Sequence, residues 1–298
     1  MTHYRRILLF AGPSPQRAPA LERAIWMTGV TGAELKICLS GDDSGIANSM
    51  FAHSVTGIHA HDAFLENQKH WLSEQIAGLA ETGAKVSSVV SWAHSTAEDM
   101  LTQIADFAPD IVMKDAYRES ALHHRPGLPP TDRQLLSECR SPLLLVGAAA
   151  QPVPKRVVAA IDIDDRRAGA DALNDKIISH AVKLAALNSA EVHIAAASRP
   201  QSQLPAGSAS VASRNDTAQD GRQALLAKAA AHGIPEQRTH WLLGHADREI
   251  PDLVNRHAAD ILVIGSTYRT TQDGKGLGST AEALLQGSAC DVMTVKPD

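Results

Sequence analysis

An α/β fold built twice in tandem, each copy around a parallel sheet, is what this sequence predicts, and three observations carry the expectation. Short apolar runs alternate along the chain with helix-length segments whose apolar residues recur at three and four spacing. The runs are near-continuous in apolar residues, as strands covered on both faces require. The same order of elements then returns after about half of the 298 residues.

Taken in order, the first half opens with Tyr4-Arg5-Arg6-Ile7-Leu8-Leu9-Phe10 as a strand, followed by a helical pattern over 20–27 and a second strand at Ala33-Glu34-Leu35-Lys36-Ile37. A helical pattern over 71–79 precedes the strands Pro109-Asp110-Ile111-Val112-Met113 and Ser141-Pro142-Leu143-Leu144-Leu145-Val146. The second half repeats this with strands at Pro154-Lys155-Arg156-Val157-Val158-Ala159-Ala160, Ala190-Glu191-Val192-His193-Ile194, Ala259-Asp260-Ile261-Leu262-Val263 and Cys290-Asp291-Val292-Met293-Thr294-Val295. Helical patterns cover 177–187 and 224–231. Alternation of this kind is resolved by right-handed crossovers, so each half is expected to be a five-stranded doubly wound domain. Gln151-Pro152-Val153-Pro154 reads as an extended linker, which divides the chain into domains 1–150 and 151–298. Residues 198–219, rich in Ser, Ala, Pro and Gly, show neither period and are expected to form a loop, either a plain connection or a lid over the strand ends. Trp26, Trp71, Trp92 and Trp241 lie in apolar stretches and are expected in cores.

Composition narrows the function classes. A net charge of -5 with no long basic run lacks the footprint of a nucleic-acid binder, although fourteen histidines would shift that balance in acid. With 4% aromatic residues, a stacking platform for single strands is not expected either. The longest apolar runs fall below the roughly 18 residues that span a bilayer, and no targeting segment is read at the start. Cys38, Cys139 and Cys290 are widely separated and form no CxxC pair, which fits a reducing cytoplasm. There is no Gly-x-Ser-x-Gly elbow and no Walker-type loop, since Gly274-Lys275-Gly276 lacks the required spacing, and Lys275 reads as a solvated loop lysine. His53, His59, His61, His123 and His124 cluster in the first half without zinc-site spacing, so no metal site is assigned to them.

One stretch carries chemistry. Ile261-Leu262-Val263-Ile264-Gly265 runs into Ser266-Thr267-Tyr268, and Gly274-Lys275-Gly276-Leu277-Gly278-Ser279-Thr280 follows. A buried strand ending on glycine, a glycine-rich loop and a Ser-Thr pair opening a helix present backbone amides to phosphates.

Together with this loop, the order of elements, Asp171-Ala172-Leu173-Asn174-Asp175-Lys176, Ala190-Glu191-Val192-His193, Pro130-Thr131-Asp132 with Leu135-Leu136, and Val295-Lys296-Pro297-Asp298 resemble the universal stress protein family in its tandem two-domain form. The resemblance covers nearly the whole chain. It implies a Rossmann-like fold of the adenine nucleotide alpha hydrolase type, with the two domains packed as a pseudo-dimer through residues 143–146 and 292–295. The family's motif, Gly, two residues, Gly, nine residues, Gly, Ser or Thr, selects Gly265, Tyr268, Gly278 and Ser279, with Thr280 beside them. Tyr268 departs from the motif; it narrows the space for phosphate and does not take the positive φ that glycine allows. The family's first-strand aspartate corresponds to Asp162, which also reads as an exposed turn residue, as do Asp164 and Asp165.

The resemblance therefore implies a cytoplasmic stress-response protein that binds ATP, with Mg accompanying the nucleotide, at Asp162, Gly265, Gly278, Ser279 and Thr280. It acts as a switch without catalysis beyond slow ATP hydrolysis. The first half has lost every glycine of the motif: Asp115 stands where Gly265 does, Pro129-Pro130 removes two amide donors, and Gly12-Pro13 replaces the aspartate. The alternative is an interaction or scaffold protein with both nucleotide sites vestigial and another small ligand in the first domain. Expected partners are the adenine nucleotide and a second copy of the tandem chain, with neither nucleic acid nor membrane.

Overall fold

In the computed structural model, residues 4–11, 19–42, 66–67, 69–74, 76–77, 83–93, 96–116, 128–198, 211–266, 268–271, 274–277 and 279–297 are described. The chain divides into two compact units between Val153 and Pro154. The first contains β1 (Arg6–Ala11), α1 (Pro19–Thr31), β2 (Glu34–Asp42), β3 (Val86–Ala93), α2 (Thr96–Phe107), β4 (Ile111–Asp115), α3 (Pro130–Glu138) and β5 (Leu143–Val146). Its strands are parallel in the order β3-β2-β1-β4-β5. The second contains β6 (Arg156–Ile161), α4 (Ala170–Ala185), β7 (Glu191–Ser198), α5 (Val211–Ala231), a 3-10 turn at Glu236–Arg238, β8 (Thr239–Leu243), α6 (Ala246–Arg256), β9 (Ile261–Gly265), β10 (Tyr268–Thr271), β11 (Gly274–Leu277), α7 (Ser279–Gly287) and β12 (Asp291–Val295). Its parallel order, β12-β9-β6-β7-β8, is that of the first unit.

Central strands form each core. Ile7, Leu8, Leu9, Ile111, Val112 and Met113 are fully buried in one unit, as are Val157, Val158, Ala159, Ile261, Leu262 and Val263 in the other. Both faces of such strands meet side chains, which is why they read as apolar runs without alternation. The helices show the complementary pattern: α4 buries Ala170, Leu173, Asn174, Ile177, Ile178, Ala181, Leu184 and Ala185, one stripe at three and four spacing.

The repeat extends to individual contacts. Asp110 Oδ2 accepts hydrogen bonds from the Arg5 and Arg6 N–H groups at 2.6 and 3.1 Å, and Asp260 Oδ2 accepts them from Lys155 and Arg156 at 2.7 and 2.9 Å. Arg6 pairs with Glu34 at 3.8 Å, and Arg156 with Glu191 at 3.6 Å. Ala108 and Ala258 share a left-handed φ of 45° just before these aspartates. A left-handed alanine costs roughly 1–2 kcal/mol, so its recurrence at equivalent turns marks one ancestral turn geometry kept in both copies.

Several expectations need correction. Residues 211–219, expected in the loop, open the 21-residue helix α5. Its first turns carry no apolar stripe, so periodicity could not reveal it, while Ala, Arg and Gln favour helix without one. Mid-helix Gly221 is accounted for by Trp241, whose ring would lie 2.6 Å from an added Cβ. The glycine-rich stretch is not a loop throughout: β10 and β11 form an antiparallel hairpin pairing Tyr268 with Leu277 and Thr271 with Gly274. Trp26, Trp71 and Trp241 are only half-buried, and Trp92's side chain lies outside the described residues. Of the helical pattern at 71–79, the described residues 71–74 and 76–77 are helical.

His180 on α4 supplies a pH dependence. Burial, and secondarily Lys183 and Lys176, push its imidazole from 6.5 down to about 4. The folded form then stays neutral where the unfolded chain takes up a proton, so stability is fully held above pH 6.5 and falls as pH drops from 6.5 toward 4. Thermal melts of His180→Gln against wild type are expected to show a flatter decline over that window; parallel curves would contradict the assignment.

Candidate functional site

The site is set by topology. β6 pairs with β7 on one side and β9 on the other, so the chain reverses its winding direction between β6 and β9. A crevice opens outside the carboxyl ends of strands at such a reversal, and ligands of doubly wound sheets bind there. Ala160 stands opposite Ile264, so Gly265 ends β9 beside the last residue of β6 and Asp162 follows directly. Because β9 and β12 are parallel, the intervening helix α7 runs back across the sheet. Its N-terminus, with Ser279 and the exposed Thr280, therefore lies at the same sheet end as Gly265. Asp162, Gly265, Ser279 and Thr280 are thus brought to one edge, while Gly278 lies outside the described residues.

Asp162 is held by α4. Its backbone N–H donates to Asn174 Oδ1 at 3.1 Å, and Asn174 Nδ2 donates to the Asp162 carbonyl at 2.8 Å. Asn174 is buried at 5% exposure, so this reciprocal pair fixes the turn at the strand end. The sequence motifs assign Asn174 no role; a polar residue inside an otherwise apolar helix stripe is the signal that marks it. The Asp162 side chain curls over its own turn, Oδ1 accepting from the Asp164 and Asp165 N–H groups at 3.1 Å each. Although the residue as a whole is exposed, desolvation of the carboxyl, then the neighbouring Asp165 charge, push its pKa up. The second carboxyl oxygen has no hydrogen-bond donor among the described residues.

Gly265 is closely packed. A Cβ there would meet Leu173 Cδ2 at 3.0 Å and Ile177 Cδ1 at 3.1 Å, so the bare backbone lets α4 close onto the strand end. Ser266 is fully buried; its N–H donates to the Val295 carbonyl at 2.8 Å, and its Oγ has no hydrogen-bond partner among the described residues. Tyr268 lies in an extended strand, so the backbone at that position makes no demand for positive φ. The conflict expected from the missing glycine is absent at the level of the backbone.

The equivalent edge of the first unit is built differently. Asp115 pairs with Val146 as Gly265 pairs with Val295, which establishes the correspondence by register. Its Oδ1 accepts the Ala20 N–H at 2.9 Å, so a carboxylate of the chain itself takes an amide of the α1 N-terminus. Burial pushes the Asp115 carboxyl up, opposed by that hydrogen bond. Beside it, Lys114 Nζ reaches Asp132 Oδ1 at 2.9 Å and donates to the Asp115 carbonyl at 3.1 Å. Asp132 is 1% exposed in the first turn of α3, which opens with Pro130 after the N-cap Pro129. Positions 12 and 13 and the histidines at 53, 59, 61, 123 and 124 lie outside the described residues. Burial pushes the Cys38 thiol up to about 11 and Cys290 up to about 12, so neither supplies a thiolate near neutral pH. Among the described residues, no helix is long and apolar enough to cross a membrane.

Comparison with known proteins agrees with this architecture. Residues 154–296 match the model of the universal stress protein family. Over its whole length the chain is 28% identical to universal stress protein E of Escherichia coli strain K12, covering 96% of that protein. It is 25% identical to the universal stress protein E homolog of Haemophilus influenzae, with 99% of this chain and 98% of that protein covered. Among solved structures, a putative universal stress protein of Pseudomonas aeruginosa UCBPP-PA14 superposes with a TM-score of 0.77 at 26% identity, covering 99% of this chain and 94% of the other. A universal stress protein of Archaeoglobus fulgidus shares the fold at a TM-score of 0.64 and 14% identity over 97% of this chain and 98% of that one.

Proposed function

This chain belongs to the universal stress protein family, and from that premise we propose that its second unit binds ATP as a regulatory switch in the stress response while its first unit does not. The observation that carries this reading is the contrast between two equivalent crevices. In the second, Gly265 and the α7 N-terminus lie at the strand reversal beside Asp162, with no carboxylate at the position of Gly265. In the first, the Asp115 carboxylate stands in the place of that glycine and takes the Ala20 N–H at the α1 start, while Lys114 donates to the Asp115 carbonyl and pairs with Asp132.

The division of labour follows from the chemistry of each group. Amides at the α7 N-terminus, with Ser279 and Thr280, suit phosphate oxygens, which the helix dipole favours. The free carboxyl oxygen of Asp162 suits a ribose hydroxyl. The crowded carboxylates of Asp162, Asp164 and Asp165 would be relieved by a magnesium ion carried with the nucleotide. No group in this reading attacks phosphorus, so ligand occupancy and not turnover is the signal. Nucleotide released from freshly purified protein and identified by mass spectrometry tests the assignment: an adenine nucleotide is expected, at no more than one per chain.

The second reading, a scaffold with vestigial sites, is favoured by two features. Asp162 Oδ1 is already used by its own turn, and packing alone accounts for Gly265. Protein that carries no nucleotide and gives no heat with added ATP would leave this reading standing.

A further inference from the structure

Away from the nucleotide edge, three histidines that are far apart in sequence converge. His193 lies early in β7, His240 early in β8, and His257 caps the C-terminus of α6. They sit toward the amino ends of the strands, opposite the crevice described above. One ring nitrogen from each can be chosen so that all three lie within 4.8 Å of one another. His193 Nδ1 is 2.9 Å from His240 Nε2, while their ring centroids are 5.2 Å apart and the planes differ by 12°. Those values describe rings meeting edge to edge, nitrogen to nitrogen, with little face overlap. His257 approaches both at 4.8 Å between centroids, tilted by 47° and 51°.

We infer that His193, His240 and His257 form a site for a divalent transition metal of the zinc class, a function independent of nucleotide binding. The nitrogens around a tetrahedral zinc, each about 2.0–2.1 Å from the ion, are separated by roughly 3.4 Å. The His193–His240 pair is already at that scale, and the widest separation needs to close by only about 1.5 Å on the same geometry. His257 can supply that movement because it is half-buried at a helix end.

Two features favour an ion over a simple hydrogen-bonded pair. His193 is 5% exposed, and its Nε2 has no hydrogen-bond partner although Glu191 Oε2 lies 3.8 Å away. A ligating imidazole whose other nitrogen faces a carboxylate is the usual outer arrangement of a zinc histidine. Glu191 is itself held by Arg156 at 3.6 Å and Arg238 at 3.3 Å. His240 also lines an open groove of about 500 Å³ together with Arg222, Glu236, Trp241 and Arg256, which gives an ion a route in. Three imidazoles leave the fourth position of a tetrahedral ion to water or a small ligand.

Zinc titration of the full chain against a competing chromophoric chelator, with a parallel cobalt titration read by visible absorption, tests the inference. Wild type is expected to bind one tight equivalent and to show the intense bands of tetrahedral cobalt. His240→Gln and His257→Gln should lose both, and Glu191→Gln should weaken zinc about 10-fold by releasing His193. His245→Gln, an exposed histidine outside the cluster, should change nothing. Absence of the cobalt bands in wild type, or an unchanged zinc equivalent in His257→Gln, overturns the site. If a cluster variant fails to fold, the wild-type cobalt spectrum decides.

Discussion

Asp260→Ala is expected to destabilise the second unit by about 2–3 kcal/mol, since a hydrogen bond to a charged acceptor contributes roughly 1.5–3 kcal/mol and two are removed at a partly hydrated site. Asp260 Oδ2 accepts both the Lys155 and Arg156 N–H groups and so ties the start of β6 to the start of β9. Asp110→Ala should produce the same loss in the first unit, where Oδ2 serves Arg5 and Arg6 in the same way. Asn at either position keeps an acceptor without the charge and should fall between. Urea unfolding followed by hydrogen exchange assigns the loss to one unit at a time. A change below about 0.5 kcal/mol, the scatter of ordinary surface substitutions, would show that these contacts do not tie the strands.

Gly265→Val is expected to cost about 1–3 kcal/mol, the range for overpacking a filled interior. Its branched side chain must displace Leu173 and Ile177, whose methyl ends already stand 3.0 and 3.1 Å from an added Cβ. Gly265→Ala asks the same two flexible ends to give only a few tenths of an ångström and should be tolerated with nucleotide binding intact. The pair separates two roles for one glycine. Loss of nucleotide in Gly265→Ala with stability unchanged would make Gly265 a phosphate contact and contradict the packing account.

Much of this architecture was legible because burial leaves a composition signature. Runs such as 143–146 and 261–264 announce themselves as strands, since both faces of a doubly covered sheet must be apolar. β8, Thr-His-Trp-Leu-Leu, was not visible in this way; its residues are half-buried or exposed, and polar and apolar types mix without strict alternation. The β10–β11 hairpin was hidden for another reason, because Gly274 and Gly276 read as loop residues yet pair with Thr271 and Arg269. Within the candidate site, the sequence pattern pointed to Asp162, Gly265 and the α7 N-terminus, but only packing distances showed that Leu173 and Ile177 account for Gly265. The histidine cluster was illegible because its members, at 193, 240 and 257, belong to three elements that meet only in space.

Titration calorimetry with ATP and magnesium, on the full chain and on Gly278→Trp, tests the central claim most directly. Wild type is expected to bind one ATP per chain, and the variant, with a bulky indole where the family motif has glycine, to bind none while melting as cooperatively as wild type. Equal heats from the two proteins, or two equivalents per chain, would contradict the assignment of one nucleotide site to the second unit.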